Sequence, residues 1–129
     1  METYIVDSFT NEAFKGNPAG VCILSQAISE ELMLKIAQEL NLSETAFIQQ
    51  KETKNQYSIR YFSPVMEIPL CGHATLASAK VLFENALLNE IQFTTFQNVH
   101  LITKKVNDGI VMEFPVYETV PAKASSALL

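Results

Sequence analysis

The sequence has 129 residues, a length that fits one domain with its own core and excludes a two-domain enzyme. Hydrophobic residues make up 48% and charged residues 18% of the chain, which is a globular rather than a disordered composition. The net charge of -5 and the lack of a basic run exclude the positive surface that nucleic acids require. No apolar stretch approaches the ~18 residues of a membrane span, and the N-terminus has no signal-peptide pattern. We therefore expect a cytoplasmic protein that contacts neither nucleic acid nor membrane.

Short apolar runs bounded by turn-forming residues predict β-strands along most of the chain. The predicted strands are residues 3–7, 19–24, 44–50, 57–62, 91–96, 99–105 and 110–114. A polar connection predicts a hairpin between the third and fourth strands. Asn107-Asp108-Gly109 predicts another between the last two.

Two helices are predicted between these strands. Ser29 precedes an acidic first turn and an apolar stripe with a four-residue period, so a capped amphipathic helix is expected over residues 30–40. Residues 72–84 carry apolar side chains around nearly the whole helical circumference, so this helix is expected inside the domain. The predicted fold class is α+β, with a mixed β-sheet or barrel wrapped around one central buried helix.

Glu44 is the first candidate for chemistry. It begins a predicted strand, and period-two alternation places its carboxylate on the face of Ala46 and Ile48. An apolar setting disfavours the charged form of a carboxylate, which suits general acid-base catalysis near neutral pH. The alternative is a solvated glutamate at a strand end.

The second candidate is the start of the predicted buried helix, at Cys71-Gly72-His73. No Ser, Asp or Asn stands at the usual capping position, so the first-turn N–H groups are open to a carboxylate or an enolate oxygen. Gly72 would let a ligand approach the backbone. Three roles are open for His73: it titrates, it donates a hydrogen bond, or it only caps the helix. Cys71 is either a thiolate base or an inert buried thiol.

Other motifs exclude several reaction classes. The sequence has no phosphate-binding glycine loop, no zinc-protease motif and no nucleophile elbow. Its two cysteines, Cys22 and Cys71, have no zinc-ligand spacing and are expected to be reduced. Arg60 has two interpretations: its cationic side chain binds an anionic substrate, or it is an ordinary residue of the strand surface.

Four blocks of sequence occur in an order that is found in one family. They are VDSFT at residues 6–10, FKGNPAG at 14–20, NLSETAF at 41–47 and RYFSPVMEIPLCGHAT at 60–75. Together they resemble the PhzF-like isomerases of phenazine biosynthesis, which share their fold with diaminopimelate epimerase. The resemblance implies a two-lobed enzyme with its active site between the lobes. Residues 1–114 would then be the first lobe, and residues 115–129 a linker and the start of a missing second lobe.

The resemblance also implies roles for individual residues. The residue matching Glu44 moves a proton between carbons of a small acidic substrate without a cofactor or a metal, and the histidine matching His73 binds and positions that substrate. Asn17, Ser63 and Gly72 match positions that border the substrate.

Three functions stay open from the sequence. The first is the N-terminal lobe of a PhzF-like isomerase, either a truncated product or a half-enzyme that a second lobe on another chain or a homodimer would complete. The second is a non-catalytic binding or assembly module that keeps the lobe fold. The third is a racemase that uses Cys71, for which an opposing acid-base group would be needed.

Overall fold

The structure is a computed structural model that describes residues 1–7, 18–107 and 109–113. Its elements in chain order are β1 (Glu2–Val6), β2 (Ala19–Leu24), α1 (Glu30–Leu40), β3 (Glu44–Gln50), β4 (Gln56–Phe62), β5 (Glu67–Ile68), α2 (Gly72–Asn85), β6 (Glu90–Thr95), β7 (His100–Val106) and β8 (Gly109–Glu113). Every predicted strand and helix is present within one residue of its predicted bounds. The two-residue strand β5 was not predicted.

The strands of the described residues form one mixed sheet in the order β1-β2-β3-β4-β6-β7-β8, with β5 paired to β4. The pairs β2/β3 and β4/β6 are parallel, and the other pairs are antiparallel. Both predicted hairpins, β3/β4 and β7/β8, are confirmed. Asn107 takes a left-handed φ of 53° in the second hairpin, a conformation that asparagine tolerates better than most residues.

Helix α2 occupies the inside of this curled sheet. It contacts β1, β2, β3, β7 and β8, so strands from both ends of the sheet order reach the same helix. Its buried side chains are mostly small, which lets the surrounding strands approach closely; the buried hydrophobic residues are Ala74, Ala77, Ala79, Val81, Leu82 and Phe83. The predicted fold class, a mixed sheet wrapped around a central buried helix, is confirmed.

Helix α1 covers the opposite face of the sheet. It is capped as predicted, because the Ser29 Oγ accepts a hydrogen bond of 3.1 Å from the Leu32 N–H. Its buried side chains pack with Cys22, Phe47 and Phe62 in a second hydrophobic cluster. The sheet is therefore covered by a helix on each face. Successive side chains of β3 point alternately to the cluster around α2 and to the cluster under α1.

Several strand boundaries are shifted by one residue from their prediction, and the end of β6 is the clearest case. Strand β6 ends at Thr95, one residue earlier than predicted, because the Thr95 N–H and carbonyl bond to the turn that follows, at Val99 and Asn98. Phe96 is left 69% exposed. The predicted linker over residues 115–129 lies outside the described part of the chain. Among the described residues, no helix is both long and apolar enough to cross a membrane.

Candidate active site at one end of the sheet

Three strands and one helix end meet where Glu44 is located. The parallel register pairs Ala19 with Glu44, so β2 and β3 begin side by side. The antiparallel register pairs Thr45 with Phe62, which brings the end of β4 and the following Ser63 to the same sheet end. The chain then returns through β5 and enters α2 at Gly72. Residues that are far apart in the sequence therefore share one end of the sheet.

The carboxylate of Glu44 lies on the inner face of the sheet, as its alternation with Ala46 and Ile48 predicts. Both of these neighbours are fully buried around α2. The Oε2 atom of Glu44 is buried, and it has no hydrogen-bond partner among the described residues. A buried carboxylate oxygen without a partner is costly and usually has a functional reason. The structure therefore leaves one oxygen of the Glu44 carboxylate buried without a donor from the described residues.

Cys71 is the immediate neighbour of this carboxylate. Burial is the largest cause that raises the pKa of the Cys71 thiol, and the charge of Glu44 and a hydrogen bond to it raise that pKa further. The N–H groups of Ala74 and His73 act in the opposite direction and lower the pKa of Cys71. The thiol therefore lies between the Glu44 carboxylate and the first turn of α2.

The first turn of α2 has the open geometry that its sequence predicts. Cys71 is the N-cap residue with extended backbone, at φ -141° and ψ 108°, and it makes no side-chain capping hydrogen bond. Gly72 is buried and His73 is half-buried. The N–H groups of the first turn and the positive end of the helix dipole therefore lie beside the Cys71 thiol and close to Glu44.

The predicted binding residues Ser63 and Asn17 have different outcomes. The Ser63 Oγ accepts hydrogen bonds of 3.1 Å from the N–H groups of both Val65 and Met66. It also lies 3.2 Å from the Met66 carbonyl oxygen, to which it donates. The hydroxyl of Ser63 therefore closes the turn after β4, and its role in substrate binding stays a prediction. Asn17 lies outside the described residues.

The sequence made Arg60 a candidate for binding an anionic substrate. In the structure its guanidinium instead forms ion pairs and a ring contact within the domain. Its guanidinium forms two bonds of 2.7 Å to the Glu67 carboxylate and one of 2.9 Å to Glu30. It also stacks over the ring of Phe96, 4.1 Å from the ring centroid. Arg60 therefore joins β4, β5, α1 and the turn after β6. The sequence carries no signal for this network because its partners come from separate elements.

The bond between Arg60 and Glu67 predicts a pH dependence of stability. The side-chain hydrogen bond from Arg60 is the main cause that lowers the pKa of Glu67 in the folded state. Because the folded pKa is below the unfolded one, the stabilisation is present above the unfolded pKa of about 4.3 and is lost as pH falls through the folded pKa. We expect Glu67→Gln to lower the urea midpoint at pH 7 and to have little effect near pH 3.

The pair Lys104–Glu113 is the control for this experiment. Its side chains are 45% and 49% exposed, compared with 20% and 21% for Arg60 and Glu67. Exposed pairs contribute little because water screens them. Glu113→Gln should therefore leave the urea midpoint nearly unchanged at both pH values, and an equal loss in the two variants would contradict the prediction.

The chain matches known proteins over most of its length. The family model PhzC-PhzF, described as phenazine biosynthesis-like protein, matches residues 6–128. The chain belongs to this family. The phenazine biosynthesis-like domain-containing protein 1 of Mus musculus is 46% identical over 129 residues, which cover 94% of this chain and 44% of that protein. An uncharacterized isomerase of Halalkalibacterium halodurans is 46% identical over 114 residues, covering 87% of this chain and 42% of that protein.

Solved structures show the same relationship in three dimensions. A PhzF-family protein from Enterococcus faecalis superposes with a TM-score of 0.78 at 38% identity, covering 97% of this chain and 49% of that chain. A predicted epimerase from Pseudomonas aeruginosa, with a TM-score of 0.68 and 23% identity, shares the fold. The PhzF-like chain thus spans about half the length of the relatives it matches.

Proposed function

We propose that the chain is the first lobe of a cofactor-independent isomerase in which Glu44 moves a proton between carbons of a small acidic substrate. The observation that carries this proposal is the buried Oε2 of Glu44, which lacks a hydrogen-bond partner among the described residues. Membership in the PhzF-like family, in which one relative is named an uncharacterized isomerase, supports the reaction class. The adjoining first turn of α2 supplies N–H donors for the acidic group of the substrate.

The chemistry follows from the placement of these groups. Glu44, as a carboxylate, takes a proton from a substrate carbon, and the electron pair of that C–H bond moves into the conjugated system of the acid. The N–H groups of Gly72 and His73 bind the acidic group of the substrate before and during this transfer. Protonated Glu44 then returns the proton to a second carbon. The His73 side chain positions the substrate, and no electron acceptor is required because the reaction is an isomerisation.

The second half of the cleft comes from outside this lobe. We propose residues 1–114 as the first lobe, residues 115–129 as a linker and the start of a second lobe, and a second lobe, on the same polypeptide or on another chain, as the opposite wall of the cleft. The relatives from Mus musculus and Halalkalibacterium halodurans are more than twice as long as the segment they share with this chain. Without opposing walls, the substrate would meet Glu44 in open solvent, where water competes for each hydrogen bond. The chain alone should therefore have little isomerase activity.

A chimera tests this function. It joins this chain to the half of the Enterococcus faecalis protein that the chain does not match. In D2O, we expect the chimera to incorporate deuterium into members of a panel of small carboxylic acids with an acidic C–H bond, and the 129-residue chain alone to incorporate little. Mass spectrometry measures the incorporation. Equal exchange by both proteins would contradict the need for a second lobe, and a folded chimera without exchange would favour the non-catalytic module.

A cysteine-dependent racemase is a second candidate because Cys71 lies beside Glu44 and the helix end. The raised pKa of Cys71 opposes it, since a thiol must lose its proton to act as a base. Alkylation would not separate the candidates cleanly, because an adduct on Cys71 would also block Glu44. Cys71→Ala is the better variant, since it removes the thiol and leaves the carboxylate accessible.

A further inference from the structure

A buried chain of hydrogen bonds leads from the sheet to the start of α2. The Tyr61 hydroxyl lies 2.6 Å from the Thr75 Oγ1, and the Thr75 Oγ1 lies 2.9 Å from the Cys71 carbonyl oxygen. Tyr61 is 1% exposed and Thr75 is fully buried. Neither side chain has a role in the proton transfer proposed for Glu44, so their polar groups need another explanation.

The direction of each hydrogen bond follows from the chemistry of the groups. A carbonyl oxygen only accepts, so the single hydroxyl hydrogen of Thr75 points to Cys71. The Tyr61 hydroxyl must then donate to the Thr75 Oγ1. Burial is the main cause that raises the pKa of Tyr61, so this donor keeps its proton at neutral pH. The chain of bonds therefore runs in one direction, from Tyr61 through Thr75 to Cys71.

These bonds end on a peptide group that belongs to the site. The Cys71 carbonyl oxygen also accepts the Thr75 N–H at 3.0 Å, so two donors hold it in place. The peptide bond is planar, so a fixed Cys71 carbonyl also fixes the direction of the Gly72 N–H on the other side of the same plane. That N–H belongs to the first turn of α2, where the substrate's acidic group is proposed to bind.

The origin of the chain of bonds is the strand next to Glu44. Tyr61 pairs with Ala46 of β3 on one side and with Ile68 of β5 on the other. Ala46 follows Glu44 by two residues in the same strand and faces the same side of the sheet. The hydroxyl of Tyr61 therefore links the start of α2 to β3, the strand that carries the proposed base.

We propose that Tyr61 and Thr75 are positioning residues that hold the Gly72 N–H in the direction in which it binds the substrate's acidic group, an inference that rests on the proposed function. The two residues contact neither the substrate nor the moving proton. They act through the Cys71–Gly72 peptide, and they keep the anion-binding donor at a fixed distance from Glu44.

Four variants test this role, and Ser78 supplies a matched control. Thr75→Val and Tyr61→Phe break the chain of bonds, and Thr75→Ser keeps it. Ser78→Ala also removes a buried hydroxyl of α2, one that donates to the Ala74 carbonyl at 2.8 Å instead. In the 129-residue chain, we expect hydrogen exchange of the residue 75 amide to rise about fivefold in the first two variants, the effect of one typical buried hydrogen bond. It should be unchanged in Thr75→Ser and Ser78→Ala.

The kinetics of the chimera separate positioning from simple stabilisation. Loss of a binding donor raises KM by about fivefold with little change in kcat, whereas a loss of folded protein lowers the apparent kcat and leaves KM unchanged. Thr75→Ser should restore the native KM. Unchanged amide exchange in Thr75→Val and Tyr61→Phe, or equal effects in Ser78→Ala, would overturn the role of the two residues. An unmodified chimera without turnover would contradict the proposed function, while the amide exchange would still decide whether the chain of bonds holds the helix end.

Discussion

Glu44→Gln is expected to lower deuterium incorporation by the chimera by a factor on the order of 10² to 10⁴, the range that a positioned general acid or base contributes. Glutamine has nearly the size of glutamate but cannot accept and return a proton. The loss should appear in kcat and in kcat/KM alike, because the proton is transferred in the transition state. Mass spectrometry of the substrate after incubation in D2O measures the exchange directly.

Binding and folding should survive this change. The Oε2 of Glu44 has no hydrogen-bond partner among the described residues, so the substitution breaks no bond at that atom. An unchanged urea midpoint would exclude unfolding as the cause of the lost activity. Cys71→Ala is the matched control, because it alters the neighbouring group and leaves the carboxylate in place. Exchange at the native rate by Glu44→Gln would return Cys71, or a residue of the second lobe, to the role of proton carrier.

The elements that the sequence predicts best are those with local signals. Helix α1 has its N-cap at Ser29 and its C-cap at Asn41, whose left-handed φ of 53° lets its N–H donate to the Ala37 carbonyl. The bounds of β2 and β3 also match their predictions, since each strand is an apolar run between turn-forming residues. These features depend on neighbouring residues alone, so periodicity and capping rules were sufficient.

Features set by distant residues could not be predicted in the same way. The two-residue strand β5 exists because Glu67 and Ile68 pair with β4, and Glu67 is also held by Arg60. The parallel pairings of β2 with β3 and of β4 with β6 likewise depend on how α1 and α2 cross the sheet. A sequence pattern indicates that a strand exists, but its partner is decided by the packing of the whole domain.

The candidate site also has some features that local sequence patterns predict and others that depend on distant residues. Alternation correctly placed Glu44 on the inner face, and the composition of α2 correctly placed this helix inside the domain. The hydroxyl of Ser63 shows the limit of this reasoning, because the sequence offered it for substrate binding and the structure uses it to close a turn. Only the three-dimensional register reveals that Tyr61 reaches Thr75, since 14 residues separate them along the chain.

Phe93→Ala is expected to lower the free energy of unfolding by about 3–5 kcal/mol, the usual loss for a phenylalanine removed from a core. Phe93 is fully buried in the cluster around α2, and its ring centroid is 6.3 Å from that of Tyr57. The surrounding strands cannot collapse onto the vacated volume without breaking the β4/β6 and β6/β7 pairings. Because domains of this size are stable by only about 5–15 kcal/mol, the variant should unfold at a much lower urea concentration.

Phe96→Ala is the matched control for Phe93→Ala, since the same side chain is removed three residues further along. Phe96 is 69% exposed and contacts the Arg60 guanidinium, so we expect a loss of no more than about 1 kcal/mol from the cation–π contact. The comparison tests where β6 ends. If the strand continued through residue 96 and the ring packed under a neighbouring element, both variants would lose similar stability. A large difference between them would instead support the turn after Thr95, which leaves Phe96 outside the core and on the guanidinium that joins β4 to β5.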